Sequence, residues 1–305
     1  MSETIELQRT LGEKAARQLA NATKTPAQWG GITPRWLVTF LPWVPVEAGI
    51  YRLNRVKESA RDDVECSPGA AADLPETFVN YEETPREYSL NAVTTVLDVQ
   101  TRVSDLYNQP YDQIREQLRL LIEKVKEKQE NELVNNPVYG LLPNAAPVQR
   151  IRTLNGPPTP HDLDELITKV WKEPAFFLAH PRAIAAFGRE CTKRGVPPPT
   201  VTLFGNPFLT WRGIPLVPSD KLAVDAEGKT NILLLRVGEK KQGVIGLFQP
   251  GVPGEVSPSL SVRFMGISRK AIASYLISLY CSAVLLTDDS LAVLENVYVG
   301  NYDDR

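Results

Sequence analysis

Side chains that could do chemistry are few, and each set has a simpler reading beside it. His161, Asp162, Asp164 and Glu165 crowd one segment, PHDLDE. An imidazole among carboxylates has the donor types of a divalent-metal site. The same acids suit the start of a helix, with Asp162 as N-cap and Glu165 at the capping-box position, and the helix dipole favours them there. Asp288 and Asp289 could divide acid and base roles. They precede Leu291, Val293 and Leu294, however, and read as the N-cap of a short helix, DDSLAVLENV.

Ser219 beside Asp220 in VPSDK lacks a histidine partner or a nucleophile elbow, so turn formation accounts for it. The glycines of GVIGLFQPGVPG are spaced like a phosphate-cradling loop, but the segment continues into strands. It offers no helix N-terminus to hold an anion. His161 and His180 lie far apart and read as structural residues. The three cysteines, Cys66, Cys191 and Cys281, form no CxxC pair, so neither a disulfide framework nor a zinc site is indicated and a reducing cytoplasm fits. No set makes a catalytic, metal or cofactor site.

The elements that would position these residues follow from periodicity. Ile5 to Ala22 reads as a polar amphipathic helix with Leu7, Leu11, Ala15 and Leu19 on one face. Next comes an arm, TPAQWGGITPRWLVTFLPWVP, in which Pro34, Pro42 and Pro45 forbid one continuous helix. Trp29, Trp36 and Trp43 in this arm, with Tyr51 beyond it, are candidate anchors, packed on their own domain or on a neighbouring subunit. Short β-rich runs at 49–57, 77–81 and 88–99 suggest a long two-stranded ribbon with the loop RDDVECSPGAAADLP at its tip. Two strands alone are marginal in water, and no partner segment within the chain is evident.

From Asp112 to Asn135 a stripe of Ile114, Leu118, Leu121, Ile122 and Val125 predicts the longest helix, a spine. Its other face carries Arg115, Glu116, Arg119, Glu123, Lys126, Glu127 and Glu130. That face reads as solvated, with i, i+4 pairs Arg119 with Glu123 and Lys126 with Glu130. Beyond the hinge NGPPTPHD follow a helix (DLDELITKVW), a strand (AFFLAH), a helix (PRAIAAFGRECTKR) and the loop GVPPPTV. Strands TLFG, PFLTW, IPLVP, NILLLRV, GVIGLF and LSVRFMGI come next. The apolar run ASYLISLYCSAVLL is too short for a membrane span and alternates as a buried strand. The fold class is α+β.

Composition bounds the function. The chain has 305 residues, 43% apolar and 23% charged, enough for a large core. Net charge is -2, and the largest local basic excess is eight Lys/Arg against four Glu in the first 57 residues, so no nucleic-acid partner is advertised. The N-terminus lacks the apolar region of a secretory signal.

Several phrases carry a specific likeness: AARQLANATKT, ITPRWL, WVPVEAGIYRLNRV, TRVSDLYNQPYDQI, RGVPPP, GIPLVPSDK and GLFQPG. From about Ala15 to Val299 the chain resembles the second encapsulin family, whose subunits share the major capsid protein fold of tailed bacteriophages. Without room for an inserted cyclic-nucleotide-binding domain, it resembles the branch associated with a cysteine desulfurase. The resemblance implies an N-terminal arm (1–47), an extension loop (48–101) lying over an adjacent subunit, a peripheral domain (102–160 and 262–305) and an axial domain (161–261). It places Lys193, Arg194, Gly195, Val196, Pro197 and Pro198 in a five-fold pore loop. It implies a cytoplasmic icosahedral shell of about 60 copies, smallest of the closed icosahedral arrangements. Such a shell encloses a pyridoxal-phosphate-dependent desulfurase in sulfur metabolism or storage, and itself needs no cofactor, nucleic acid or membrane. The rival expectations are a phage-type capsid protein packaging DNA and a soluble hydrolase using Ser219 or the Asp288 and Asp289 pair.

Overall fold

Fourteen consecutive residues near the C-terminus organise the sheet on which the longest helix lies. The computed structural model describes residues 14, 32–54, 56, 79–100, 113–153 and 156–300. The helix expected over Ile5 to Ala22, the anchor Trp29 and the tip loop with Cys66 lie outside the described residues, apart from Lys14, which is helical.

Strand β14 (Ile272–Leu285) pairs antiparallel with β11 (Val244–Phe248) at its end. Over its first part it pairs with β13 (Leu260–Ile267) and with β4 (Asn91–Gln100). Strand β12 (Glu255–Ser257) extends β13, and β1 (Trp43–Pro45) runs parallel to β11. Helix α2 (Gln113–Asn135) lies across β14 and β4. Its 23 residues reach about 35 Å at 1.5 Å per residue. The alternation of β14 decides its orientation. Ile277 and Leu279 meet Val125, Leu118, Leu121 and Ile122 of α2, while Val284 on the opposite face meets β11 and Leu286 joins the same cluster. The apolar run is thus the strand its sequence predicts.

The second sheet has the order β5 (Arg150–Arg152), β15 (Leu291–Tyr298), β10 (Lys229–Leu235), β6 (Phe176–Ala179), β9 (Ile214–Pro218), β8 (Asn206–Trp211) and β7 (Thr200–Leu203). Its central strands are buried on both faces, which is why they read as unbroken apolar runs. Phe177, Ala179, Ile232 and Leu234 pack under α4 (Pro160–Lys169) and α5 (Pro181–Lys193). Phe176, Leu178, Leu233 and Leu235 face the other way, against Leu133 and Val134 of α2 and Leu37 and Leu41 of the arm. Leu37 belongs to α1 (Trp36–Phe40), and α3 (Leu141–Asn144) adds Leu141 to the same core.

Several expectations are corrected. DDSLAVLENV is no helix: Asp288–Ser290 is a single 3-10 turn, and Leu291 begins strand β15. Leu291 and Val293 enter one core while Ala292 and Leu294 enter the other, a period of two that a short apolar run does not reveal. The cap of α4 lies upstream of Asp162. Thr159 is the N-cap, Pro160 follows it, and Asp162 itself is the reciprocal partner, accepting from Thr159 N–H at 2.8 Å.

Among the described residues the ribbon consists of β2 (Ile50–Leu53) paired with β3 (Arg86–Ser89) and an isolated bridge from Val56 to Tyr81. The run 88–99 breaks at Leu90, after which β4 leaves for β14, so the missing partner is within the chain. Tyr51, Leu53, Tyr88 and Leu90 seat the ribbon base on Val46, Ile245, Leu247, Val284 and Leu286. Sheet membership also crosses the expected blocks. β11 and β12, expected in the axial block, join the α2 sheet, as does β4 from the expected extension loop; β15 and β5, expected in the peripheral block, join the second sheet.

The arm is held by a close approach at Gly246, where a Cβ would stand 2.7 Å from the Trp43 ring. Gly246→Val is expected to cost about 2 kcal/mol through overpacking. It should expose Trp43, read as a lower melting temperature with red-shifted tryptophan emission; an unchanged melt would show that Trp43 is free to move aside.

Candidate functional site

The residue sets with chemical potential are dispersed by the fold into structural bonds. Asp162 is consumed by its cap. Asp164 accepts from the Trp211 indole N–H at 2.7 Å and from Arg212, whose guanidinium holds its carboxyl below the usual range despite some burial. Among the described residues no group of three His, Cys, Asp or Glu side chains is placed to hold a metal ion. His180 caps α5, its Nδ1 accepting from Arg182 N–H. Ser219 is buried; its N–H donates to the Ala179 carbonyl and its Oγ accepts from Lys221 N–H, in the turn expected of it. Of the GVIGLFQPGVPG glycines, Gly243 precedes β11, Gly246 lies in it, and Gly251 and Gly254 lie in the turns after it.

Asp288 is exposed and Asp289 half-buried. Asp289 meets Arg236, whose side chain is 1% exposed, through a bond of 2.6 Å, with Lys172 at 2.8 Å and the Thr287 hydroxyl also bonded. Burial alone would raise the Asp289 carboxyl, but the donors from Arg236, Lys172 and Thr287 outweigh it and hold the group far below its ordinary range. It stays ionised at neutral pH, as a buried ion pair requires.

A second charged cluster joins three parts of the chain, and the sequence reading assigned its acids to solvent. Glu127 and Glu130 of α2 are buried. Glu127 accepts from Thr33 N–H and Oγ1 and from Arg35 in the arm, and from Lys221 after β9 at 2.8 Å. Arg35 also bridges to Glu123 at 2.8 Å, and Lys221 to Asp220 at 2.6 Å. Glu130 accepts from Leu37 N–H at 3.0 Å and so caps α1, whose N-cap residue Arg35 offers no side-chain cap. Ion pairs at i, i+3 join Arg119 to Glu116 and Lys126 to Glu123, and Arg119 also feels Glu123, its expected i, i+4 partner. The signal available in sequence was Leu133 next to Val134, adjacent apolar residues that bury the last turns of α2 on more than one side.

The expected assembly residues are placed as follows. Lys193 ends α5, Arg194 is its C-cap, and Gly195 takes the left-handed conformation (φ 70°) that ends the helix. Val196 and Pro197 are exposed and Pro198 half-buried, ahead of edge strand β7. Trp36 stacks near Phe204 and meets Phe208 edge to face, while the Trp43 indole donates to the Val38 carbonyl. Both therefore have partners in their own chain. Tyr51 donates to Glu239 from the ribbon base. Exposed apolar residues include Phe264, Met265 and Ile267 at the end of β13 and Val56, Val79 and Tyr81 along the ribbon.

A family model described as type 2A encapsulin shell protein, SrpI-like, matches residues 52–301. The chain belongs to the type 2A encapsulin shell proteins. SrpI of Synechococcus elongatus, a type 2A encapsulin shell protein, is 66% identical over 295 residues, covering 97% of this chain and 96% of that protein. A chain of the holo-SrpI encapsulin complex from Synechococcus elongatus PCC 7942, solved by cryo-electron microscopy, matches with a TM-score of 0.84 at 63% identity. That match covers 97% of this chain and 99% of the other. A chain of Microbacterium phage Oxtober96 matches with a TM-score of 0.62 at 13% identity, over 90% and 94% of the two chains, and shares the fold alone. This encapsulin subunit thus has the tailed-phage capsid fold. It assembles with itself into the shell of a nanocompartment, and the family is a structural one. Among its described residues no helix is long and apolar enough to cross a membrane.

Removing Asp289 would leave Arg236 buried without its counter-charge. Asp289→Ala is expected to cost about 3 kcal/mol, while Arg236→Met with Asp289→Leu recovers most of that loss. Because the folded-state carboxyl is lowered, the pair's contribution is present above the ordinary aspartate value and is lost as pH falls through the folded value. Denaturation measured down an acid series should therefore weaken the wild type more than the double variant. Parallel acid sensitivity would assign it elsewhere.

Proposed function

We propose that this shell encloses a cysteine desulfurase, in the cytoplasm, in the service of sulfur metabolism or storage. The observation that supports this reading is the match to the type 2A model across residues 52–301, with no inserted domain among the described residues. The enclosed enzyme uses pyridoxal phosphate, and the shell subunit contributes walls and openings. A subunit of 33.9 kDa in about 60 copies gives a particle of roughly 2 MDa. Its net charge of -2 gives DNA little to bind, which favours a protein cargo.

Natively purified particles, resolved by mass spectrometry, are expected to contain a desulfurase with the visible absorbance of bound pyridoxal phosphate. Particles that hold no desulfurase overturn the reading, and nuclease-sensitive content in its place favours DNA packaging.

The loop of Lys193, Arg194, Gly195, Val196, Pro197 and Pro198 lines the five-fold opening in this proposal. Its support is its exposure and the stiffness of consecutive prolines after a left-handed glycine. With Val196→Cys, a short bis-maleimide should link subunits into ladders up to pentamers in assembled shells. Linkage stopping at dimers would place the loop away from that axis.

A further inference from the structure

We propose that Glu130 makes the contact between arm and spine helix a pH-sensitive latch, tight in mildly acidic solution and looser in mildly alkaline solution. The inference stands apart from the identity of the cargo. Its basis is the junction itself. Glu130 is 1% exposed, in the last two turns of α2, and accepts from the N–H of Leu37, a fully buried residue of the arm. The neighbouring charges come from every element at the junction: Glu123 and Glu127 on α2, Arg35 on the arm, and Asp220 and Lys221 after β9. His180, at the start of α5, also feels Asp220.

The two buried glutamates of this junction differ in what they are given. Burial would raise the Glu127 carboxyl, but the bonds from Lys221 and Thr33 outweigh it and keep the carboxyl below the usual range. Glu130 receives one amide, and burial pushes its carboxyl up to about 7, with Glu127 and Asp220 adding to the rise and Leu37 N–H and Lys221 opposing it. An arm that lets go returns Glu130 to water and to its ordinary value near 4.5. The docked arm therefore holds the proton more tightly. Glu130's contribution to docking is complete below the ordinary value and is lost as pH rises through about 7.

Glu127 acts in the opposite sense. Its lowered carboxyl supports docking above the ordinary value and fails as pH falls below it. Between these limits Glu127 is charged and Glu130 neutral, and the latch is closed. His180, lowered by burial, titrates on the acid side of its ordinary 6.5, so the alkaline limb belongs to Glu130.

Hydrogen exchange of the amides of residues 37–41 in assembled shells, corrected for intrinsic rates, tests this. The expected result is protection about fourfold higher at pH 6.5 than at pH 8.5 in the wild type, with Glu130→Gln holding the acid-side protection at both. Equal protection at the two values, or a pH dependence that survives in Glu130→Gln, overturns the latch. Should that variant not assemble, infrared difference spectra of wild-type shells between the same values carry the test. A protonated-carboxyl band gained at pH 6.5 supports the proposal, and its absence refutes it.

Discussion

Strand β14 is the constraint on which the rest of the structure depends. Its odd-numbered residues from Ile277 to Leu285 fill the space beneath α2 and the adjoining core, while its two edges take strands from distant parts of the chain. Residues 91–100 must travel to residues 272–281 to form the longest ladder among the described residues, and β11 must close on residues 282–285. Until β14 is laid down, β4 has no partner, α2 has no floor and the ribbon base has no seat. Such long-range pairing must meet its loop-closure entropy before burial compensates it, so this region is expected to be settled late in folding.

The arm is then fixed by interactions of a different kind. Burial of Leu37 and Leu41 supplies a non-directional drive, about 1.5–3 kcal/mol for each fully buried aliphatic side chain. Directional bonds from Glu127 and Glu130 determine where along α2 the arm sits. Buried charge adds little net stability, yet removing one partner is costly, so such a cluster selects one docking geometry over its neighbours. The Arg236 and Asp289 pair plays the same part at the turn that leads from β14 into β15. A shell subunit has need of such selection, because small errors in subunit shape accumulate around a closed surface.

The sequence made much of this legible. Period-two alternation gave β14, the apolar stripe gave α2, and the unbroken runs gave the central strands of the second sheet. It failed where one pattern serves two structures. LAVL could be a turn of buried helix or a strand buried on both faces, and only neighbours in space decide. Glu127 and Glu130 looked solvated because a carboxylate on a charge-rich helix usually is; what buries them is an arm some ninety residues earlier, invisible to any local window. The sheet partners of β4, β5 and β15 were likewise beyond local reading, so expected domain blocks and observed sheets disagree at their edges. Shell assembly was not legible from physics alone. An arm rich in tryptophan and a marginal ribbon suggested association, and the likeness in specific phrases named its kind.

A cryo-electron microscopy reconstruction of the purified chain tests the central claim most directly. The account predicts closed hollow icosahedral particles in which every subunit keeps β4, β14 and β13 as adjacent strands across α2, with Leu37 seated on Glu130. Discrete small oligomers, or a shell whose subunits lend β4 to a neighbour's sheet in place of their own, would contradict it.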